Sequence, residues 1–342
     1  MMAPSGQSTG AGGRWTGLTH LSAVAIADLV DGPSAVRVLT EALVSGRVDP
    51  EQDSPRLFAP AGPGAEFLMM PSATGGASGV KVLTLAPGNP QDGHPNIQGV
   101  YVLFETEHHA PLAVLDAAEL TLVRTPATTV MAAQHLVAAH RGVDPESAVR
   151  AQRVVVFGTG PQAERHIAYL NAVLHPDDIA VVGRRPEGVD RLVARSAALG
   201  APVRPADAAR DLSRADLIVC ATSSRTPLFD ADDVPADAVV CAIGVHGPDK
   251  RELPAELVLN ADVVVESRAA AMRESGNLLL ARPATEWVAD AERGRQLANL
   301  AELVTGRFTP SPGRPAVFSG VGMAWEDLVV AQHAYDRYRQ RA

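Results

Sequence analysis

The sequence predicts an α/β protein: a doubly wound parallel sheet joined to a second, α+β part. Two observations carry this expectation. From Arg153 onward, short apolar runs at residues 154–157, 179–182, 217–221, 238–243 and 262–265 alternate with helical stretches. Runs without polar alternation suit strands covered on both faces, and strands that alternate with helices form parallel sheets. Upstream, residues 55–122 hold strand-like segments at 66–70, 79–85 and 99–104, divided by Gly, Pro and Asn. That punctuation implies a mainly antiparallel region.

Taken in order, residues 1–15 read as a loose tail. Met1 to Gly13 are rich in Gly, Ser and Ala and lack a basic start followed by an apolar stretch, so no signal peptide is expected. Residues 21–44 suit a short strand or turn and then an amphipathic helix. Residues 87–95, Pro-Gly-Asn-Pro-Gln-Asp-Gly-His-Pro, form a loop between two strands. An Ala-rich helix is expected at 128–140, leading into the parallel sheet. Residues 317–322 precede a helical pattern running through Tyr338, which packs back on the first region. The expected division is therefore 16–127 with 315–342 as one domain and 128–314 as the other. No internal repeat is evident.

At 342 residues the chain is long enough for about two domains. Its 46% hydrophobic and 20% charged residues indicate a globular protein. No apolar run reaches the length of a bilayer span, so no membrane partner is expected. A formal net charge of −9 argues against a nucleic-acid surface, which needs a basic footprint, and favours a small-molecule partner. Cys220 and Cys241, the only cysteines, lie in apolar runs and read as reduced core thiols, consistent with a cytoplasmic protein.

The segment Arg153-Val-Val-Val-Phe-Gly-Thr-Gly-Pro-Gln-Ala163 joins a buried strand to a glycine turn that opens a helix. Gly158 permits the tight turn, Gly160 leaves room for a pyrophosphate, and Ala163 keeps the helix close to the strand. Thr159, Pro161 and Gln162 complete a Rossmann-type clamp in which helix N-terminal N–H groups point at phosphates. The second strand ends about 20 residues later, where the ribose-reading position falls. There the chain has Gly183-Arg184-Arg185 and no carboxylate. A carboxylate would repel a 2′-phosphate, whereas guanidinium groups bond it, so NADP(H) is the preferred cofactor, with NAD(H) possible.

Arg56, Lys81 and Arg124 stand in apolar or turn-rich settings. Singly, each reads as a surface charge or an ion-pair partner. Together they suit an anionic substrate, since Arg holds a carboxylate bidentately and a desolvated Lys can exchange a proton near neutrality. His246 lies in a loop after the run 238–243, at a carboxyl end where ligands sit in open α/β sheets. With an ordinary pKa of about 6.5 it is a candidate acid or orienting group. The histidines show no metal-ligand spacing, and no Ser/His/Asp arrangement is evident.

These motifs resemble the ornithine cyclodeaminase and mu-crystallin family. The likeness runs from Leu21 to the final helix. It rests on Met70-Pro71, Gly79-Val-Lys-Val82 followed by Pro87-Gly-Asn-Pro90, Leu120-Thr-Leu-Val-Arg-Thr125, Gly158 to Ala163, Ala221-Thr-Ser-Ser224, Arg251-Glu-Leu253 and Ser319-Gly-Val-Gly322. The resemblance implies a homodimer in which the N-terminal part and the last helix form a dimerisation and substrate domain around a Rossmann domain. It implies that Arg56, Met70, Lys81 and Arg124 meet an amino or imino acid; the residues expected to be catalytic are Lys81 and His246. Thr125, Ala221, Thr222, Ser223 and Val245 would touch the cofactor, and Ser319 and Gly320 the nicotinamide end.

One departure directs the reading. Cyclodeaminases of the family carry an Asp in a Gly-x-Asp-x-Pro-Gly-Lys loop, whereas this chain reads Gly244-Val-His-Gly-Pro-Asp-Lys250. The expectation is therefore an NAD(P)H-dependent reductase of the C=N bond of a small cyclic imino acid. The alternatives are an ornithine cyclodeaminase or amino-acid dehydrogenase using bound NAD, and a non-catalytic protein that binds NADPH and an effector.

Overall fold

A computed structural model describes residues 18–145, 151–244, 246–292 and 297–342. Its first sheet has six strands: β1 (Thr19–Leu21), β2 (Leu57–Gly62), β3 (Ala65–Thr74), β4 (Ala77–Leu85), β5 (Ile97–Phe104) and β6 (Pro111–Asp116). Their order is β1-β6-β5-β4-β3-β2. Strands β2 to β6 are antiparallel neighbours, as the turn punctuation implies, and β1 joins β6 in parallel. Burial alternates along β4, which puts Lys81 on the same buried face as Ala77, Gly79 and Leu83. The helix Ala324–Arg341 packs on β3 and β4 over that face.

The helix expected at 128–140 is longer and spans Ala117–Arg141. Asp116 caps it by accepting from the Glu119 amide at 2.8 Å, and Gly142 ends it at φ 62°. Pro126 suggests a boundary in sequence, because proline removes a backbone donor, yet it sits inside the helix. Burial of Leu120, Val123, Arg124, Pro126 and Ala127 outweighs that loss. Arg124 and Thr125 therefore stand on a helix and not in a turn. The helix also touches β11 and β14 of the second sheet, so it ties the two sheets together.

The second sheet has eight strands: β7 (Arg153–Phe157), β8 (Asp178–Val182), β9 (Val203–Pro205), β10 (Leu217–Cys220), β11 (Val239–Ala242), β12 (Asp262–Val265), β13 (Leu297–Asn299) and β14 (Ala316–Ser319). All are parallel, in the order β13-β12-β14-β11-β10-β7-β8-β9. Successive strands run outward from β7 to β8 and β9, and then from β10 to β11 on its other side. The strand order reverses between β7 and β10, where open α/β sheets bind ligands. The three-residue edge strands β9 and β13 are too short to announce themselves by pattern.

The expected division at 127/128 and 315 needs correction. The helix Ala117–Arg141 crosses the first boundary. Residues 315–342 split, because β14 inserts between β11 and β12 and only the final helix returns to the first sheet. The reason is burial: all four residues of β14 are buried, and a run covered on both faces needs strand neighbours on both edges. Residues 1–15 lie outside the described residues.

Candidate functional site

A crevice of about 620 Å³ opens at the carboxyl ends of β7, β8, β10 and β11. Gly158 has φ 124°, and a Cβ there would lie 2.4 Å from the Ala221 carbonyl oxygen, so the turn requires glycine on both counts. Gly160 is different. Its backbone is extended at φ −87°, and nothing lies within 4 Å of where its Cβ would be. The space is open in front of the helix Pro161–Leu174, whose first N–H groups have no capping side chain. Thr159, Pro161 and Gln162 line the same crevice, while Ala163 is fully buried beneath the turn.

On the opposite wall stand Arg184, Arg185, Ala221, Thr222 and Ser223. Both arginines are exposed, and neither guanidinium meets a carboxylate among the described residues. A residue absent from the sequence expectation holds this wall in place. Glu252 is fully buried and accepts from the Thr222 amide at 2.8 Å, the Thr222 hydroxyl at 2.7 Å and the Gly244 amide at 2.8 Å. Burial raises its carboxyl above the ordinary value, and the donated hydrogen bonds oppose that. It fixes the loops after β10 and β11 relative to each other. The run Arg251-Glu-Leu253 was its only sequence signal.

A second pocket, of about 190 Å³, meets the crevice at Ile243 and Gly244. Arg56, Met70, Lys81, Arg124, Thr125 and His246 all line it, so the structure gathers residues that the sequence scatters. Gly320 lines it too. Thr125 faces this pocket and not the crevice. Ser319, expected near the nicotinamide, is fully buried and lines neither cavity. Its hydroxyl meets Ser275 Oγ at 2.9 Å and accepts from Asn277 Nδ2 at 3.3 Å. Val245 lies outside the described residues.

Each cation of the pocket already has a carboxylate. Lys81 Nζ lies 2.6 Å from Asp327 Oδ2, and also donates to Thr121 Oγ1 at 3.3 Å. Arg124 donates to Glu326 Oε2 at 2.8 Å and approaches Asp327 Oδ1 at 3.4 Å. Arg56 Nε is 2.8 Å from Glu274 Oε2, and its Nη2 donates to the Val321 carbonyl at 2.9 Å. Glu266, just past β12, accepts from the amides of Val321 and Gly322 at 2.7–3.0 Å. Asp53 accepts from the Ala324 and Trp325 amides at 2.9 and 3.0 Å, which fixes the start of the final helix and hence Glu326 and Asp327.

Burial governs the protonation of this cluster. It lowers the Lys81 ammonium to about 8 in spite of Asp327, and raises the Glu326 carboxyl to about 8 in spite of Arg124. Arg124 moves upward: its carboxylate neighbours Asp327, Glu326 and Glu266 outweigh desolvation, the largest single effect. The His246 imidazole is pushed down to about 4, by desolvation first and then by the charges of Arg56, Lys250 and Arg124. The residue is still exposed, so the neighbouring cations are the firmer cause. Either way it is a neutral imidazole at neutral pH, suited to orienting a ligand by hydrogen bonds more than to delivering a proton.

The carboxylates Glu266, Glu274, Glu326 and Asp327 escaped the sequence reading. One signal was available: Glu326 and Asp327 interrupt an otherwise apolar stretch, Ala324 to Ala331, of a fully buried helical segment.

A family model described as the ornithine cyclodeaminase/mu-crystallin family matches residues 22–342. The Delta(1)-pyrroline-2-carboxylate reductase of Bacillus cereus is 31% identical over 281 residues, covering 80% of this chain and 82% of that protein. Among solved structures, a probable ornithine cyclodeaminase from Bordetella pertussis Tohama I superposes with a TM-score of 0.80 at 32% identity, over 95% of this chain and 98% of that one. The Thermococcus litoralis Delta(1)-pyrroline-2-carboxylate reductase in complex with NADH and L-proline has the same fold, with a TM-score of 0.80 at 23% identity over 95% and 98% of the two chains.

Proposed function

The chain belongs to the ornithine cyclodeaminase/mu-crystallin family, and from that premise we propose that it is an NAD(P)H-dependent oxidoreductase reducing the C=N bond of a small cyclic imino acid to an amino acid. The observation that carries this reading is the charged pocket opening onto the glycine-lined crevice at Ile243 and Gly244. At about 190 Å³ it is smaller than the ~300–1,000 Å³ of drug-sized sites, and it suits one small ring bearing a carboxylate. The name of the Bacillus cereus relative, Delta(1)-pyrroline-2-carboxylate reductase, points to the same substrate class.

The crevice fits a nicotinamide dinucleotide. The open space at Gly160 and the uncapped helix N-terminus suit a pyrophosphate. When bound, the nicotinamide supplies the hydride that reduces the C=N carbon. Unpaired Arg184 and Arg185 support NADP(H) as the preferred form, with NAD(H) also possible.

Arg56 and Arg124 are the carboxylate-binding groups in this reading. Lys81, with a pKa near that of the medium, polarises or protonates the substrate, and neutral His246 orients it. Three bare cations would oppose a positively charged C=N. Their paired carboxylates offset that opposition.

The loop facing the crevice brings no carboxylate to the pocket. Asp249, the nearest acid to His246 in the chain, pairs with Arg225 at 2.6 Å, and both side chains are largely exposed. This favours the reductase over the cyclodeaminase. Exposed Leu57, Phe58, Phe67, Ile97 and Val100 on the first sheet support a homodimer built on that sheet. No helix among the described residues is long and apolar enough to cross a membrane.

The test follows the oxidation of NADPH and of NADH in the presence of pyrroline-2-carboxylate or piperideine-2-carboxylate. Turnover with either imino acid, faster with NADPH, is expected. Ammonia release from ornithine without added cofactor, and no imine reduction, would establish the cyclodeaminase instead. Tight NADPH binding with no turnover of either kind would leave a binding protein.

A further inference from the structure

Charges around the pocket are balanced. Arg56, Lys81, Arg124 and Arg273 face Glu266, Glu274, Glu326 and Asp327, so with every group ionised the cluster is neutral. An anionic ligand entering it would leave one surplus negative charge. Something must absorb that charge, and the hydrogen bonding identifies where.

Glu266 has donors on both oxygens, from the Val321 and Gly322 amides. Asp327 has Lys81 on one oxygen and Arg124 near the other. Glu274 has Arg56 and Arg273. Glu326 differs in its ion pairing: Arg124 reaches its Oε2 and the Met323 backbone lies by its carboxyl, but no cation reaches Oε1, which is buried without a hydrogen-bond partner. An ionised oxygen buried without a donor costs several times what a neutral, protonated one does. Its surroundings are Arg124 and Glu266 from other elements and Asp327 on its own helix, with Lys81, Arg56 and His246 across the same cavity.

We propose that Glu326, which lines the pocket, carries a proton when the ligand is bound, and that this proton sets the affinity of the site for carboxylates. The inference rests on the reading of the pocket as a carboxylate site. It makes Glu326 an affinity-determining residue that the family motifs quoted above do not include. Burial and the neighbouring carboxylates agree with it, since they raise Glu326 to about 8. Its proton is therefore retained at neutral pH and lost above about 8, where carboxylate binding must weaken.

The experiment is calorimetric titration of pyrrole-2-carboxylate, a planar ring acid that cannot be reduced in this way, in excess NADPH from about pH 7 to about pH 9.5. With one linked proton, Kd rises roughly tenfold per pH unit above the pKa in the unaltered protein. Glu326→Gln, a neutral isostere, should bind the acid with a much shallower dependence on pH, the remainder belonging to Lys81. Lys81 titrates in the same region, so Lys81→Met combined with Asp327→Asn, which leaves no unpaired carboxylate behind, is the necessary second arm, and it should keep the steep dependence. Repeating the titrations in buffers of different ionisation enthalpy reads the proton directly, with uptake of about one proton expected near pH 9.5 in the unaltered protein. An equally steep dependence in Glu326→Gln, or no proton uptake in the unaltered protein, overturns the proposal while leaving the carboxylate site standing. Absence of binding at every pH overturns both.

Discussion

The crevice at the end of the eight-stranded sheet is walled chiefly by main chain, glycine and small polar side chains, whereas the pocket beside it sets Arg56, Lys81, Arg124, His246, Glu266 and Glu326 among apolar side chains. In the crevice the distinguishing features are absences: a Cβ at Gly160, and a carboxylate beside Arg184 and Arg185. In the pocket they are charges that cancel. A backbone site tolerates little because its geometry is fixed by steric limits on φ and by close approach. A charged site depends on balance, and removing one member leaves its partner buried and uncompensated. The difference teaches that cofactor binding and substrate chemistry in this chain can be damaged separately.

The largest separation is expected from Lys81→Met. It should reduce kcat/KM for the imino acid by about 10³-fold, within the range for loss of a group that transfers or stabilises a proton. The Kd for NADPH, read by fluorescence, should hold. Loss of the ammonium also leaves Asp327 exposed to a buried-charge penalty of about 3–5 kcal/mol. Adding Asp327→Asn should therefore restore the melting temperature without restoring turnover. Recovery of turnover by the double variant would assign Lys81 a structural role only.

The two glycines sharpen the contrast within the crevice. Gly158→Ala forces a side chain onto φ 124° and against the Ala221 carbonyl, so about 2 kcal/mol or more of stability should be lost together with NADPH binding. Gly160→Ala meets no atom and needs no strained backbone, so the melting temperature without cofactor should hold within about 0.5 kcal/mol of stability. Its NADPH affinity should nonetheless fall at least about tenfold, since the methyl group occupies the space assigned to the pyrophosphate. Unchanged affinity in Gly160→Ala would move the phosphates elsewhere. The most selective effect is on cofactor choice. Arg184→Ala should narrow the preference for NADPH over NADH by about ten- to one hundredfold, the worth of one charge-assisted hydrogen bond, with NADH kinetics unaltered.

The legible and illegible parts of the molecule divide along the same line. The strand, turn and helix around Gly158 are adjacent in the chain, and steric rules act over a few residues, so the motif could be read with its surroundings. Arg184 and Arg185 follow the next strand and were legible for the same reason. The helix Ala117–Arg141 extends beyond the expected 128–140, with Pro126 inside it, because burial overrides the local preference of that residue. Strand β14 was assigned to the wrong part of the chain because nothing local says which sheet a buried strand will enter.

In the pocket, Arg56, Lys81 and Arg124 could be singled out as cations in unusual settings, but their partners could not. Arg124 and Glu326 are 202 positions apart, and the pairing exists only because the final helix returns to lie on β3 and β4. His246 was legible as a position, while its neutrality was not, since that depends on which charges the fold brings near it.

By itself the sequence determined the parallel sheet, the glycine turn and the cations available to an anionic ligand, because hydrophobic period, φ limits and residue type are properties of short stretches. Only the tertiary structure decided that those cations are already paired, that Ser319 turns away from both cavities and that Glu326 has an oxygen without a partner. Charge balance and burial are sums over neighbours, and the neighbours are chosen by the fold.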